Sequence, residues 1–188
     1  MFDRADWLQL AFTISLSHSM PQKLPEYTYV PGVTPHPISD PRGHWRQRAE
    51  LPQSVPELLR WGLQLFNHGY YWEAHEIWEA AWVQLGRTGP EAETVKGFIK
   101  LAACGVKCLE GNSVGAMRHA RRAQELLLAG ANTSLSLNLD ELPISQALAI
   151  ARGCSEALPL ANDSQREAAR SGGVSVLGKL TELDDPDS

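Results

Sequence analysis

Three ionisable side chains, His75, Glu76 and Glu79, stand close together in the run YYWEAHEIWEAAWVQL. If that run is helical, His75 and Glu79 form an i, i+4 pair and Glu76 and Glu79 an i, i+3 pair, so all three share one side. Two carboxyls held that close in a partly dry recess disfavour double ionisation, and one can keep a proton while the other acts as a base. The same groups could ligate a divalent metal for hydrolysis of a small polar ligand. In that chemistry Glu76 is the general base or a ligand, and His75 and Glu79 are ligands or proton carriers. Zinc prefers more nitrogen or sulfur donors than one imidazole supplies, so a further histidine must arrive from elsewhere. The stretch ahead of the helix offers His36 and His44, with Asp40 between them, and these two histidines are expected to complete the metal shell. A buried polar network that fixes the packing of the helices would use the same residues, and the pattern leaves both readings open.

At about 100° per residue, Ile77, Ala81, Ala74, Leu85 and Trp78 gather on an apolar face. Trp82, His75, Glu79, Trp72, Val83 and Glu76 gather on the opposite arc, while Glu73 and Ala80 read as freely solvated. Trp72 and Trp82 are candidate ligand-binding walls, and their company implies that something covers the acids. Asn67, in the Asn67–His68–Gly69 link, ties the turn into this helix and is a further ligand-binding candidate. The next helix turns Lys96, Lys100 and Lys107 to one side. They neutralise the acids, receive an anionic ligand with Lys100 as the candidate contact, or form a solvated face. Arg118, Arg121 and Arg122 share a polar face without interleaved aromatics, which is a poor nucleic-acid signal, and His119 borders an apolar face as a satisfied core residue.

The elements that must position these residues follow from punctuation. Ser54 and Glu57 have capping-box spacing ahead of a helix over 55–68 that Gly69 ends. A second helix runs over 70–85 to Gly86, a third from Pro90 to Gly111, a fourth from Asn112 or Ser113 to Gly130, and a fifth from Pro143 to Pro159. Short links make neighbours antiparallel, so the expected fold is all-α, a compact bundle of about five helices. Six of the twelve prolines fall between Pro21 and Pro41, where helix and central strand are both forbidden. That segment is an extended arm with Tyr27, Tyr29 and Trp45 as apolar anchors, and it is expected to cover the polar stripe. The organisation is therefore 1–53, an N-terminal extension and Pro-rich arm; 54–160, the helical domain; and 161–188, a polar, flexible tail in which VSVLGKL could be held.

A formal charge of −5 argues against a dedicated nucleic-acid coat or an anionic-membrane binder. Three cysteines, Cys104, Cys108 and Cys154, lack the count and spacing of a disulfide framework or a cysteine zinc site, and reduced cytoplasm fits them best. The apolar start is too short to span a bilayer and reads as a loosely held helix or variable extension, with a weak signal peptide as the minor alternative. The competing function class is a non-catalytic module in which the polar stripe and its tryptophans dock a partner chain or a second copy.

The run from Leu59 to Leu127 resembles the domain of unknown function 309 family, most specifically in FNHGYYWEAHEIWE, KGFIKLAA and EGNSVGA. The upstream YTYVPGVTPHPISDPRGH is similar to an extension found in a subset of such proteins. The resemblance implies a small all-α fold with Asn67, Gly69, Glu73, His75, Glu76 and Glu79 on its signature, and it brings no established activity. Lys100 stands where many relatives have glutamine.

Overall fold

The computed structural model of the protein describes residues 23–45, 54–132 and 142–180. The described residues form six helices and no strand: α1 (Val55–Asn67), α2 (Tyr71–Gln84), α3 (Pro90–Glu110), α4 (Ser113–Ala131), α5 (Ile144–Glu156) and α6 (Asp163–Ala168). Consecutive helices from α1 to α5 pack on one another, α3 and α4 most extensively, which makes the fold the all-α antiparallel bundle that the short links require. The helix expected within residues 1–20 and the acidic end beyond Leu180 lie outside the described residues. Among the described residues no helix is long and apolar enough to cross a membrane.

Local chemistry sets the helix ends. The Glu57 carboxylate accepts the Ser54 backbone N–H at 3.3 Å and the Ser54 hydroxyl at 2.7 Å, which closes the start of α1. At its end Gly69 donates to the Phe66 carbonyl and Tyr70 to the Leu65 carbonyl, both at 2.9 Å, the paired bonds of a Schellman turn. Gly69 takes φ +80°, and a Cβ there would sit 2.2 Å from the Val174 backbone carbon. Backbone conformation and a neighbouring chain both demand glycine at this position. On α4 the repeat Ala116, Ala120, Ala123 and Leu127 is fully buried. Small residues at this spacing let two helix axes approach closely, and Leu127 reaches Gly97 of α3.

The segment after α5, expected to be a polar, flexible tail in which VSVLGKL could be held, is packed as far as Leu180. Asn162 and Gln165 cap α6, and Ala161, Ala169, Val174, Leu177 and Leu180 are buried. The fully buried Tyr71 hydroxyl accepts the Val176 N–H at 2.9 Å and the Leu177 N–H at 2.8 Å. Burial pushes that phenol above its ordinary pKa, partly offset by these backbone donors. A close approach makes room for the Tyr71 ring: a Cβ on Gly105 of α3 would lie 2.5 Å from it. The arm is tied to the same segment, Thr28 donating to the Ala169 carbonyl at 3.1 Å and Arg170 to the Val33 carbonyl at 2.7 Å. Arm and C-terminal segment thus close together over the α1–α2 turn.

Candidate functional site

His75, Glu76 and Glu79 each present one ligand atom, and these atoms all lie within 4.8 Å of one another. His75 Nδ1 stands 3.3 Å from Glu76 Oε1, and both side chains are 26% exposed, while Glu79 is open to solvent. Adjacent helical residues point about 100° apart, so this approach does not align into a hydrogen bond, and the buried Nδ1 is without one.

Beside the triad a cleft of about 140 Å³ opens between α2 and α3, lined by Trp72, His75, Ala103, Val106 and Lys107. Further along, Lys96 Nζ lies 5.8 Å from the Trp82 ring centre, and Arg87 approaches the same ring at 5.8 Å. These contacts fix the register of two antiparallel helices, with Trp72 beside Lys107, His75 beside Ala103 and Trp82 beside Lys96.

Lys96 pairs with Glu93 at 3.1 Å, Lys107 pairs with Glu110, and the half-buried Lys100 lies between them. His119 on α4 senses this wall. Its pKa is lowered to about 4, first by burial and then by the charges of Lys100, Arg118, Lys107 and His75. The α3 side of the groove is therefore cationic and the α2 side acidic.

Among the described residues the arm does not cover the triad. Its contacts go one turn earlier, to Trp72 and Glu73. Glu73, which helical projection leaves in solvent, is fully buried: it accepts from the Thr28 hydroxyl at 3.3 Å and the Tyr29 N–H at 3.1 Å, and His44 Nε2 lies 3.3 Å from it. The His44 side chain is 9% exposed, and its ring meets Tyr27 edge-on at 4.4 Å between centres. Burial raises the pKa of the Tyr27 hydroxyl, and Glu73 and Asp40 add to the rise.

The structure accordingly brings His75, Glu76 and Glu79 together and takes His36 and His44 elsewhere. His36 Nδ1 accepts the Ile38 and Ser39 N–H groups at 3.2 and 3.3 Å, and its ring packs at 5.4 Å from Trp72. Tyr29 and Trp45 also pack on Trp72, at 5.4 and 5.7 Å, so this tryptophan joins the arm's aromatic cluster as well as walling the cleft. The Asn67 amide is taken up by backbone, donating to the Leu180 carbonyl at 2.6 Å and accepting its N–H at 2.7 Å. Both differences have one cause: two layers of chain outside the helical hairpin land on α2 and its entry turn, and a one-helix projection contains neither. The aromatic residues all round the helix, Tyr71, Trp72, Trp78 and Trp82, are the signal that it is enclosed on more than one side.

The family model of a domain of unknown function, DUF309, matches residues 59–119. Over this stretch the chain is similar to the DUF309 family. No curated protein and no solved structure matches the chain. The DUF309 stretch contains the triad, both cleft walls and His119. The partners that bury Glu73, and those that occupy the Asn67 amide and Tyr71 hydroxyl, come from chain on either side of it.

Chemically, one imidazole and two carboxylates on an open helical face leave several coordination positions free. That donor set suits a hard or borderline divalent cation that keeps water or substrate oxygens, rather than a closed structural zinc.

Proposed function

We propose that the open face of α2 binds a divalent metal ion through His75, Glu76 and Glu79 and presents it to a small polar ligand in the α2–α3 cleft, for metal-assisted hydrolysis. The observation that carries this is the convergence of three ligating atoms within 4.8 Å beside a cleft that His75 itself lines. A bound cation supplies Lewis acidity and lowers the pKa of a coordinated water. The chain's own part is to hold the imidazole and carboxylates on one helical face, with Glu79 at the solvent side positioned to take up or release a proton. Three buried free cysteines agree with a reducing compartment, and we place the protein in the cytoplasm.

Titration with Mn²⁺ followed by electron paramagnetic resonance tests the proposal. One ion per chain is expected, with binding lost in Glu76→Gln and in His75→Ala. No binding to the wild-type protein at neutral or mildly alkaline pH overturns it.

A second reading draws on Val83, 44% exposed on the same arc as Trp82: the stripe docks a partner chain or a second copy. Mass in solution separates the two. Docking requires that His75→Ala weaken an oligomer or complex, whereas a ligand site leaves assembly unchanged and costs little stability.

A further inference from the structure

We propose that the α2–α3 groove binds a small oxyanion, a phosphoryl or carboxylate group, with Lys100 as its principal charge partner and Lys107 beside it. This deepens the metal reading by naming what the ion would polarise, and it rests on that reading only for the contact between anion and metal.

Three observations converge. Lys96, Lys100, Ala103 and Lys107 recur at i, i+4, i+7 and i+11, so they form one stripe of α3, and Ala103 and Lys107 of that stripe line the cleft. Of the three lysines the outer two are engaged by acids one turn away, while Lys100, among the described residues, makes no ion pair or hydrogen bond. A half-buried ammonium without an anion has lost hydration without compensation, and an oxyanion restores it through charge-assisted hydrogen bonds.

The size of the cleft limits the ligand. With about 30 Å³ per water in the liquid, 140 Å³ holds on the order of four or five waters, well below the pocket of a drug-sized molecule or cofactor. One head group fits. Trp72 and Val106 give it apolar walls, which strengthen the attraction of the lining Lys107, and of Lys100 one turn from Ala103 on the same stripe, for a charge in the cleft. His119, held neutral at pH 7 first by burial and then by this cationic wall, adds no charge of its own there.

Calorimetric titration of the full chain with inorganic phosphate, with acetate as a separate arm and each with and without Mn²⁺, tests the site. Lys100→Gln is expected to weaken phosphate binding at least tenfold while Mn²⁺ affinity stays unchanged, and Lys100→Arg is expected to restore it. Glu76→Gln should abolish Mn²⁺ binding yet keep metal-free phosphate binding. Tighter binding of acetate than of phosphate assigns the site to carboxylates. Equal phosphate binding by wild type and Lys100→Gln, or no binding of either anion to wild type, overturns the proposal. Lys100-dependent phosphate binding in a protein that takes up no Mn²⁺ leaves the oxyanion site standing and removes the metal reading alone. Thermal melts of each variant separate lost binding from lost folding.

Discussion

Glu73 and Glu76 stand three residues apart on α2, yet the first is fully buried and the second is a quarter exposed. Each has an imidazole 3.3 Å away, His44 for Glu73 and His75 for Glu76. The pairing is alike and the enclosure is not. Around Glu73 the arm supplies a hydroxyl, a backbone N–H and a ring, leaving no route for a ligand. Around Glu76 the helix faces a groove, with an acid at its rim and a cationic wall opposite. An acid–imidazole pair is thus an anchor or a ligand site according to what lies over it, and here the covering comes from outside the DUF309 stretch.

The largest expected effect breaks or upholds that contrast directly. Glu73→Ala removes one partner of a buried charged assembly and leaves the Tyr29 N–H and Thr28 hydroxyl unsatisfied, with an expected loss of about 3–5 kcal/mol. Glu79→Ala, at an exposed position, should stay within about 0.5 kcal/mol of wild type. Urea denaturation of the two variants measures the difference, and equal losses would erase the distinction between the closed and open ends of α2.

The bundle itself was legible because its signals are local. The Ser54–Glu57 spacing, Gly69, Pro90, Gly111 and Pro143 each act within a turn of where they sit, and the helices start and stop beside them. The triad was legible for the same reason, since the i, i+3 and i, i+4 geometry is internal to one helix. Glu73, His36 and His44 were not. Their surroundings depend on which of two sides of α2 an irregular, Pro-rich segment lies on, and the contacts that hold it there include residues far along the chain, Thr28 donating to the Ala169 carbonyl and Arg170 to the Val33 carbonyl. The C-terminal segment was legible only in VSVLGKL: Val174, Leu177 and Leu180 stand out there and each finds a buried seat, whereas the polar composition around Ala161 and Ala169 hid that these are buried too. No pattern within the segment announces Tyr71 and Asn67 as the groups that hold it.

A smaller effect sharpens the account of the closed end. Tyr71→Phe keeps the ring against Gly105 and deletes only the oxygen that accepts the Val176 and Leu177 N–H groups. One buried and one half-buried donor then lack a partner, and a loss of about 1–3 kcal/mol is expected. Amide hydrogen exchange reads the cause as well as the size: Val176 and Leu177 should lose protection far more than amides in α3 or α4. A uniform loss of protection would mean that the C-terminal segment is part of the core's cooperative unit and not a layer laid over it.

The smallest expected effect belongs to the open side and is a dependence on pH. His119 titrates at about 4 in the folded protein against about 6.5 in an unfolded chain, so between those values the unfolded state binds more protons. By linkage, stability then rises with pH across that window: the contribution of neutral His119 is fully present above about 6.5 and is lost as pH falls toward 4. The difference between wild type and His119→Gln isolates the contribution of this residue. The variant should show a flatter dependence of melting temperature on pH between about 5 and 6.5, with the two curves converging in slope above that range. Because Lys100, Arg118 and Lys107 contribute to the depression, added salt should reduce the difference by screening them. Bound phosphate should reduce it too, by neutralising Lys100, whereas a difference indifferent to both salt and phosphate would mean that burial alone holds His119 neutral and that the cationic wall does not reach it.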